Sequence, residues 1–156
     1  MTIDFDKLLQ LMIEHTSVGP NSIHGPDHWR RVMQNGLQLA KRNGADVTIV
    51  KLFAIFHDAE RWNDGHDPQH GQRAAELVKS LHGEVLEIDQ ESLELLCVAC
   101  RFHHQGGTTD DLTIGTCWDA DRMDLTRVST TPDPQYMSTD AGKSFARLGC
   151  FEDREF

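Results

Sequence analysis

Val47-Thr48-Ile49-Val50-Lys51-Leu52-Phe53-Ala54-Ile55-Phe56-His57-Asp58-Ala59-Glu60-Arg61 is the stretch on which the fold turns. From Val47 to Phe56 the only charge is Lys51, and apolar side chains fall on every side of a helix rather than on one stripe. Such a helix is either enclosed by neighbours or lies in a membrane. The apolar run is well short of the roughly 18 residues that a membrane span needs, so the stretch is read as a central buried helix over 47–61.

The segments around it supply the enclosure. Asp4 to His15 carries Phe5, Leu8, Leu9, Met12 and Ile13 at the spacing of an amphipathic helix, before a loop at Gly19-Pro20. A second helix starts at Gly25-Pro26, presents Trp29, Val32, Met33, Gly36, Leu37 and Ala40 on one face, and stops at Asn43-Gly44. After the break at Asn63-Asp64-Gly65, further helices are expected over Pro68–Leu81, Gln90–His103, Thr116–Thr126 and Ala141–Leu148. Alternating Val, Ile and Thr over strand length is missing, which disfavours a sheet. The fold class is all-α, with about six to seven helices around the central one, and 156 residues fit a single domain over 1–156.

Composition narrows the function. With 38% hydrophobic and 26% charged residues the chain is of the globular type, and Asp4 and Asp6 stand where a signal peptide would be basic and then apolar. A cytoplasmic location is expected, with no membrane association. The net charge of −10 repels nucleic-acid phosphates, so no nucleic-acid groove is expected, and an anionic substrate needs local cations. Nine histidines point to metal or proton chemistry. Of the four cysteines, Cys97 and Cys100 precede His103 in a zinc-like spacing. They lie within an apolar helical run, however, whereas structural zinc sites place such pairs on turns, and they are read as buried free thiols.

His57-Asp58 puts two polar groups at the end of the most apolar helix. Either they bond to each other as a cap, or a divalent cation satisfies both. His28, in His24-Gly25-Pro26-Asp27-His28-Trp29, and Asp121, in Trp118-Asp119-Ala120-Asp121-Arg122-Met123-Asp124, lie on other helices, and all four side chains can converge inside a bundle. Two imidazoles and two carboxylates suit Mn, Fe, Zn, Co or Ni better than Ca. Asp119 and Asp124 read as supporting or exposed carboxylates.

This ordered set resembles the HD-domain superfamily of metal-dependent phosphohydrolases, most strongly over residues 22–125. Phe56-His57-Asp58-Ala59-Glu60-Arg61, Asn63-Asp64 and Asp67-Pro68-Gln69-His70-Gly71 resemble a bacterial branch that departs from the His-Asp-Ile-Gly form. The resemblance implies an HD-type helical domain with one divalent ion, Mg included among the candidates, held by His28, His57, Asp58 and Asp121. A second ion is the alternative to a phosphate contact at His70, His103 and His104. His24 and Arg122 join those three as candidate substrate-binding or second-ion residues, and Asp58, Arg61 and Asp64 are the candidate catalytic residues. The implied activity is hydrolysis of a small phosphorylated metabolite, a nucleotide by preference. A non-catalytic sensor or scaffold with the same fold is the alternative, and a homodimer is left open.

Overall fold

The computed structural model describes residues 2–151. Its helices are α1 (Phe5–His15), α2 (Pro26–Asn43), α3 (Val47–Phe56), α4 (His70–Leu81), α5 (Gln90–Phe102), α6 (Leu112–Met123) and α7 (Asp140–Leu148), with 3-10 turns over Asp124–Val128 and Pro134–Tyr136. Extended pairing among the described residues is limited to one bridge between His82 and Leu86. The all-α class expected from the sequence holds.

α3 is the core. Ile49, Val50 and Leu52 through Phe56 are buried along it, and α1, α2, α5 and α6 pack around it. Its start is fixed by Asp46, whose carboxylate accepts from Ile49 N at 3.2 Å. α2 approaches closely because Gly36 has no Cβ: one built there would lie 2.3 Å from Val50 Cγ1. α2 ends at Gly44, whose φ of +78° is the left-handed conformation that glycine tolerates.

Several helix boundaries differ from the sequence reading, and three of them have a visible cause. α3 stops at Phe56 rather than Arg61: the His57 ring takes the Phe53 and Ala54 carbonyls at 3.1 Å, and the amides of Ala59 and Arg61 bond three residues back, to Phe56 and Asp58. Residues 57–60 are therefore a turn. α4 starts at His70 rather than Pro68, with the Asp67 carbonyl bonded to the His70 ring. α6 starts at Leu112, ahead of Thr116, because Asp111 caps it by accepting from Ile114 N at 2.8 Å.

Candidate metal centre

The turn after α3 delivers His57 and Asp58 to the interior, where α2 supplies His28 and α6 supplies Asp121. His28 and His57 are fully buried and Asp58 is 3% exposed. His28 Nε2 lies 3.0 Å from Asp121 Oδ1 and 3.4 Å from Asp58 Oδ2. His57 Nε2 lies 3.4 Å from each of the same oxygens. A second pair of rings closes on the other oxygen of Asp58: Oδ1 is 3.2 Å from His103 Nε2 and 3.3 Å from His70 Nε2. One carboxylate thus stands between two imidazole pairs.

The far nitrogen of each ring is already engaged. His28 Nδ1 is 2.6 Å from Asp124 Oδ2, while His57, His70 and His103 use Nδ1 on the carbonyls of Phe53 and Ala54, Asp67 and Cys100 respectively. A ring that donates at Nδ1 carries a lone pair at Nε2 when neutral. The Nε2 atoms of His28 and His57 are 3.2 Å apart, and those of His70 and His103 are 3.0 Å apart. Facing lone pairs at that distance repel unless a proton or a cation sits with them. The residues fit a divalent cation on this observation, and fixing of the outer nitrogens is the arrangement in which ligand histidines are held. Two groups have their donor atoms within 4.8 Å of one another, His28–His57–Asp58 and His70–His103–His104.

Electrostatics agree. Burial opposes the charge on Asp58, but His57, His103, His28 and His70 outweigh it and hold the carboxyl well below its usual range. Asp121 is held down in the same way by His57 and His28. Burial disfavours a proton on His28, yet hydrogen bonds to Asp121, Asp124 and Asp58 raise its pKa to about 10. Three carboxylates around one imidazole call for positive charge at that point.

The remaining candidates are distributed as follows. Arg61 Nε is 3.8 Å from Asp58 Oδ1, buried and without a hydrogen-bond partner among the described residues, while its Nη1 bonds the carbonyls of Asn63 and Gly65. Asp64 lies 2.9 Å from His24 Nδ1 and also accepts from the Ser22 hydroxyl. Burial is the largest single influence and raises its pKa, but Ser22 and His24 together outweigh it and hold the carboxyl low. The His24 ring stands 6.5 Å from that of His28, at the rim. His104 is exposed and uses Nε2 on the Pro68 carbonyl at 2.9 Å.

Arg122 does not join this set. It is buried, and Nη1 clamps the carbonyls of Gly107 and Tyr136 at 2.6 Å each. Asp119 is also structural: it accepts from Ser138 N and from the amide and hydroxyl of Thr139, tying α6 to the start of α7. The cysteines are free thiols, with Cys97, Cys100 and Cys117 buried and their pKa values raised by that burial.

Asp67, which the sequence reading quotes only as part of Asp67-Pro68-Gln69-His70-Gly71, has no role of its own there. Its carboxylate receives Arg73 Nη2 at 2.6 and 2.7 Å and Trp62 N at 2.9 Å, bracing the segment between the doublet and α4. Its place between the break at Asn63-Asp64-Gly65 and α4 was the available signal.

Fold and site together define an all-helical domain built around a buried cluster of histidine and aspartate side chains. No family model matches the chain, and no curated protein does. Among solved structures it is similar to a predicted HD superfamily hydrolase from an uncultured Thermotogales bacterium, at 24% identity and a TM-score of 0.73, over 91% of this chain and 82% of that one. That likeness establishes the HD-type fold. No helix among the described residues is long and apolar enough to cross a membrane.

Proposed function

We propose that this chain is a metal-dependent phosphohydrolase acting on a small phosphorylated metabolite, with a nucleotide as the preferred class. The observation that carries the reading is the split carboxylate of Asp58, with two Nε2 atoms within 3.4 Å of each oxygen. His28, His57, Asp58 and Asp121 would hold one ion, and His70 and His103, on the other side of Asp58, would be available to a second.

A bound divalent ion supplies Lewis-acid chemistry, lowering the pKa of a water and offsetting phosphoryl charge. Asp58 orients the attacking water by accepting its hydrogen bond. The unpartnered Arg61 Nε donates to a phosphoryl oxygen, the local cation that a chain of net charge −10 needs for an anionic substrate. As the water oxygen bonds to phosphorus and the bond to the leaving oxygen breaks, that oxygen takes a proton. The proton is the one the attacking water gives up, since burial lowers the pKa of His24 and, against burial, Ser22 and His24 hold Asp64 ionised, which leaves this pair, 2.9 Å apart, as a hydrogen-bonded anchor for the rim.

The test is phosphate release from monoesters, diesters and nucleotides by protein stripped with chelator and reloaded separately with Mn, Fe, Zn, Co, Ni or Mg. Release is expected with at least one ion, together with loss of both metal and turnover in Asp58→Ala. Stoichiometric metal without release from any ester sinks the enzymatic reading in favour of a sensor or scaffold.

A further inference from the structure

We propose that the groove between α1 and the 84–87 segment is a docking site for a basic amphipathic helix of a partner protein. The groove holds about 540 Å³ and draws none of its lining from the His/Asp centre, so it stands apart from the chemistry proposed there. It follows α1 from Asp4 to Glu14, roughly 15 Å at the rise of a helix, which is the length of about three turns. α1 buries Met12 in the core, while Lys7, Leu11 and Glu14, spaced so that they share one stripe of the helix, line the groove. The opposite wall is fixed before anything binds. Leu86 is fully buried, the Gly83 amide bonds the Leu86 carbonyl at 2.8 Å, and the amides of Glu84, Val85 and Leu86 converge on the Leu81 carbonyl at 3.1–3.2 Å. With Leu86 drawn inward, Glu84, Val85 and Glu87 are left to line the groove.

Charge decides what the groove takes. Leu11 and Val85, 37% and 47% exposed, offer aliphatic surface from the two walls. Around them stand the carboxylates of Asp4, Glu14, Glu84 and Glu87, and among the described lining residues Lys7 is the one cation. Asp4 is used as the cap of α1, accepting from Lys7 N, and Glu14 accepts from the Gln10 amide; both donors are neutral, and none of the four carboxylates is in an ion pair among the described residues. A helix that lays aliphatic side chains on Leu11 and Val85 and carries Lys or Arg along both flanks gives these carboxylates the partners that the chain does not supply. The other occupants fit less well. A second copy of this chain, itself at a net charge of −10, brings more of the same sign. Nucleic acids and anionic membrane surfaces are repelled for the same reason. A bare polyamine satisfies the carboxylates and leaves the aliphatic walls in water.

Fluorescence anisotropy with the full chain and three labelled peptides of about four helical turns tests it. One is a Leu/Lys helix with its leucines on a single stripe, one a scramble of the same composition that breaks the stripe, and one a Leu/Glu helix with the stripe intact. The Leu/Lys helix is expected to bind wild type at least tenfold more tightly than either of the others. Leu11→Ser with Val85→Ser, and Glu84→Gln with Glu87→Gln, are pairs at exposed positions, and each should weaken that binding at least tenfold. Glu76→Gln with Asp110→Asn removes the same charge at exposed positions outside the groove and should change it less than twofold. Thermal melts confirm that every variant folds. Absent binding of the Leu/Lys helix, equal binding of the scramble, or equal weakening by the Glu76 and Asp110 pair overturns the proposal, the last by assigning the attraction to net charge alone. Dimerisation of wild type in sedimentation, lost in the Leu11 and Val85 pair, overturns it in favour of a second copy.

Discussion

Asp124 is the residue whose role has most to say about the centre. Its Oδ2 fixes His28 Nδ1 at 2.6 Å and its Oδ1 is held by Arg31 Nε at 2.8 Å, so on the proposed reading it would orient a ligand without itself touching the ion. Asp124→Asn keeps the shape and removes the charge. It should weaken metal affinity roughly 10- to 100-fold, as loss of an outer partner does, in a chelator competition titration. Full affinity in that variant contradicts the role. His28 gives a second expectation, of opposite kind, in the metal-free protein. Its pKa is raised from 6.5 to about 10, so its contribution to stability is complete below pH 6.5 and lost as the pH rises through about 10. Melting temperature in excess chelator should fall across that interval in wild type and fall less in His28→Gln. Protons compete with metal at the same nitrogen, so metal affinity should rise with pH over the same range.

At the scale of elements, the contact between α4 and α5 sets the spacing of one imidazole pair. A Cβ on Gly71 would lie 2.7 Å from the carbonyl oxygens of Cys100 and Arg101 and 3.0 Å from His104 Nδ1, so α5 must move if it is added. Gly71→Ala should cost about 1–3 kcal/mol in urea unfolding, the usual range for overpacking. It should also reduce metal binding, because His70 and His103 are carried by the two elements being forced apart. Undiminished stability would show that the backbones yield freely.

These elements also mark what the chain discloses in advance. α3 is legible because an apolar surface on all sides has few places to go, and the burial of Cys97 and Cys100 follows from the same periodicity. The end of α3 is not legible, because it depends on the His57 ring capturing carbonyls of its own helix. The four ligand candidates are readable from residue type and order. The supports are not: Asp124 meets His28 across most of the sequence, and the clamp formed by Arg122 exists only once two loops have been brought to it.

For the whole molecule, a centre that draws on α2, α6 and the segments after α3 and α5 would make metal binding, as proposed, and folding one equilibrium. An ion that binds only the folded chain at 100 times its Kd adds about 2.7 kcal/mol. At roughly 2–4 °C per kcal/mol for a chain of this size, chelation should lower the melting temperature by roughly 5–11 °C. Scanning calorimetry with and without chelator measures it, and the difference should vanish in Asp58→Ala. An unaltered wild-type transition would mean that the centre is closed by protons instead.

The segment braced by Asp67 carries an optical consequence. Trp29 and Trp118 are 1% and 7% exposed, whereas Trp62 is 64% exposed and lies with one face 3.7 Å from the Arg73 guanidinium. Iodide in solution meets essentially one indole. Fluorescence from the red edge of the emission band belongs to a fluorophore four positions beyond Asp58 and next to Arg61, so the molecule already contains a single-site reporter on the segment that joins its doublet to α4.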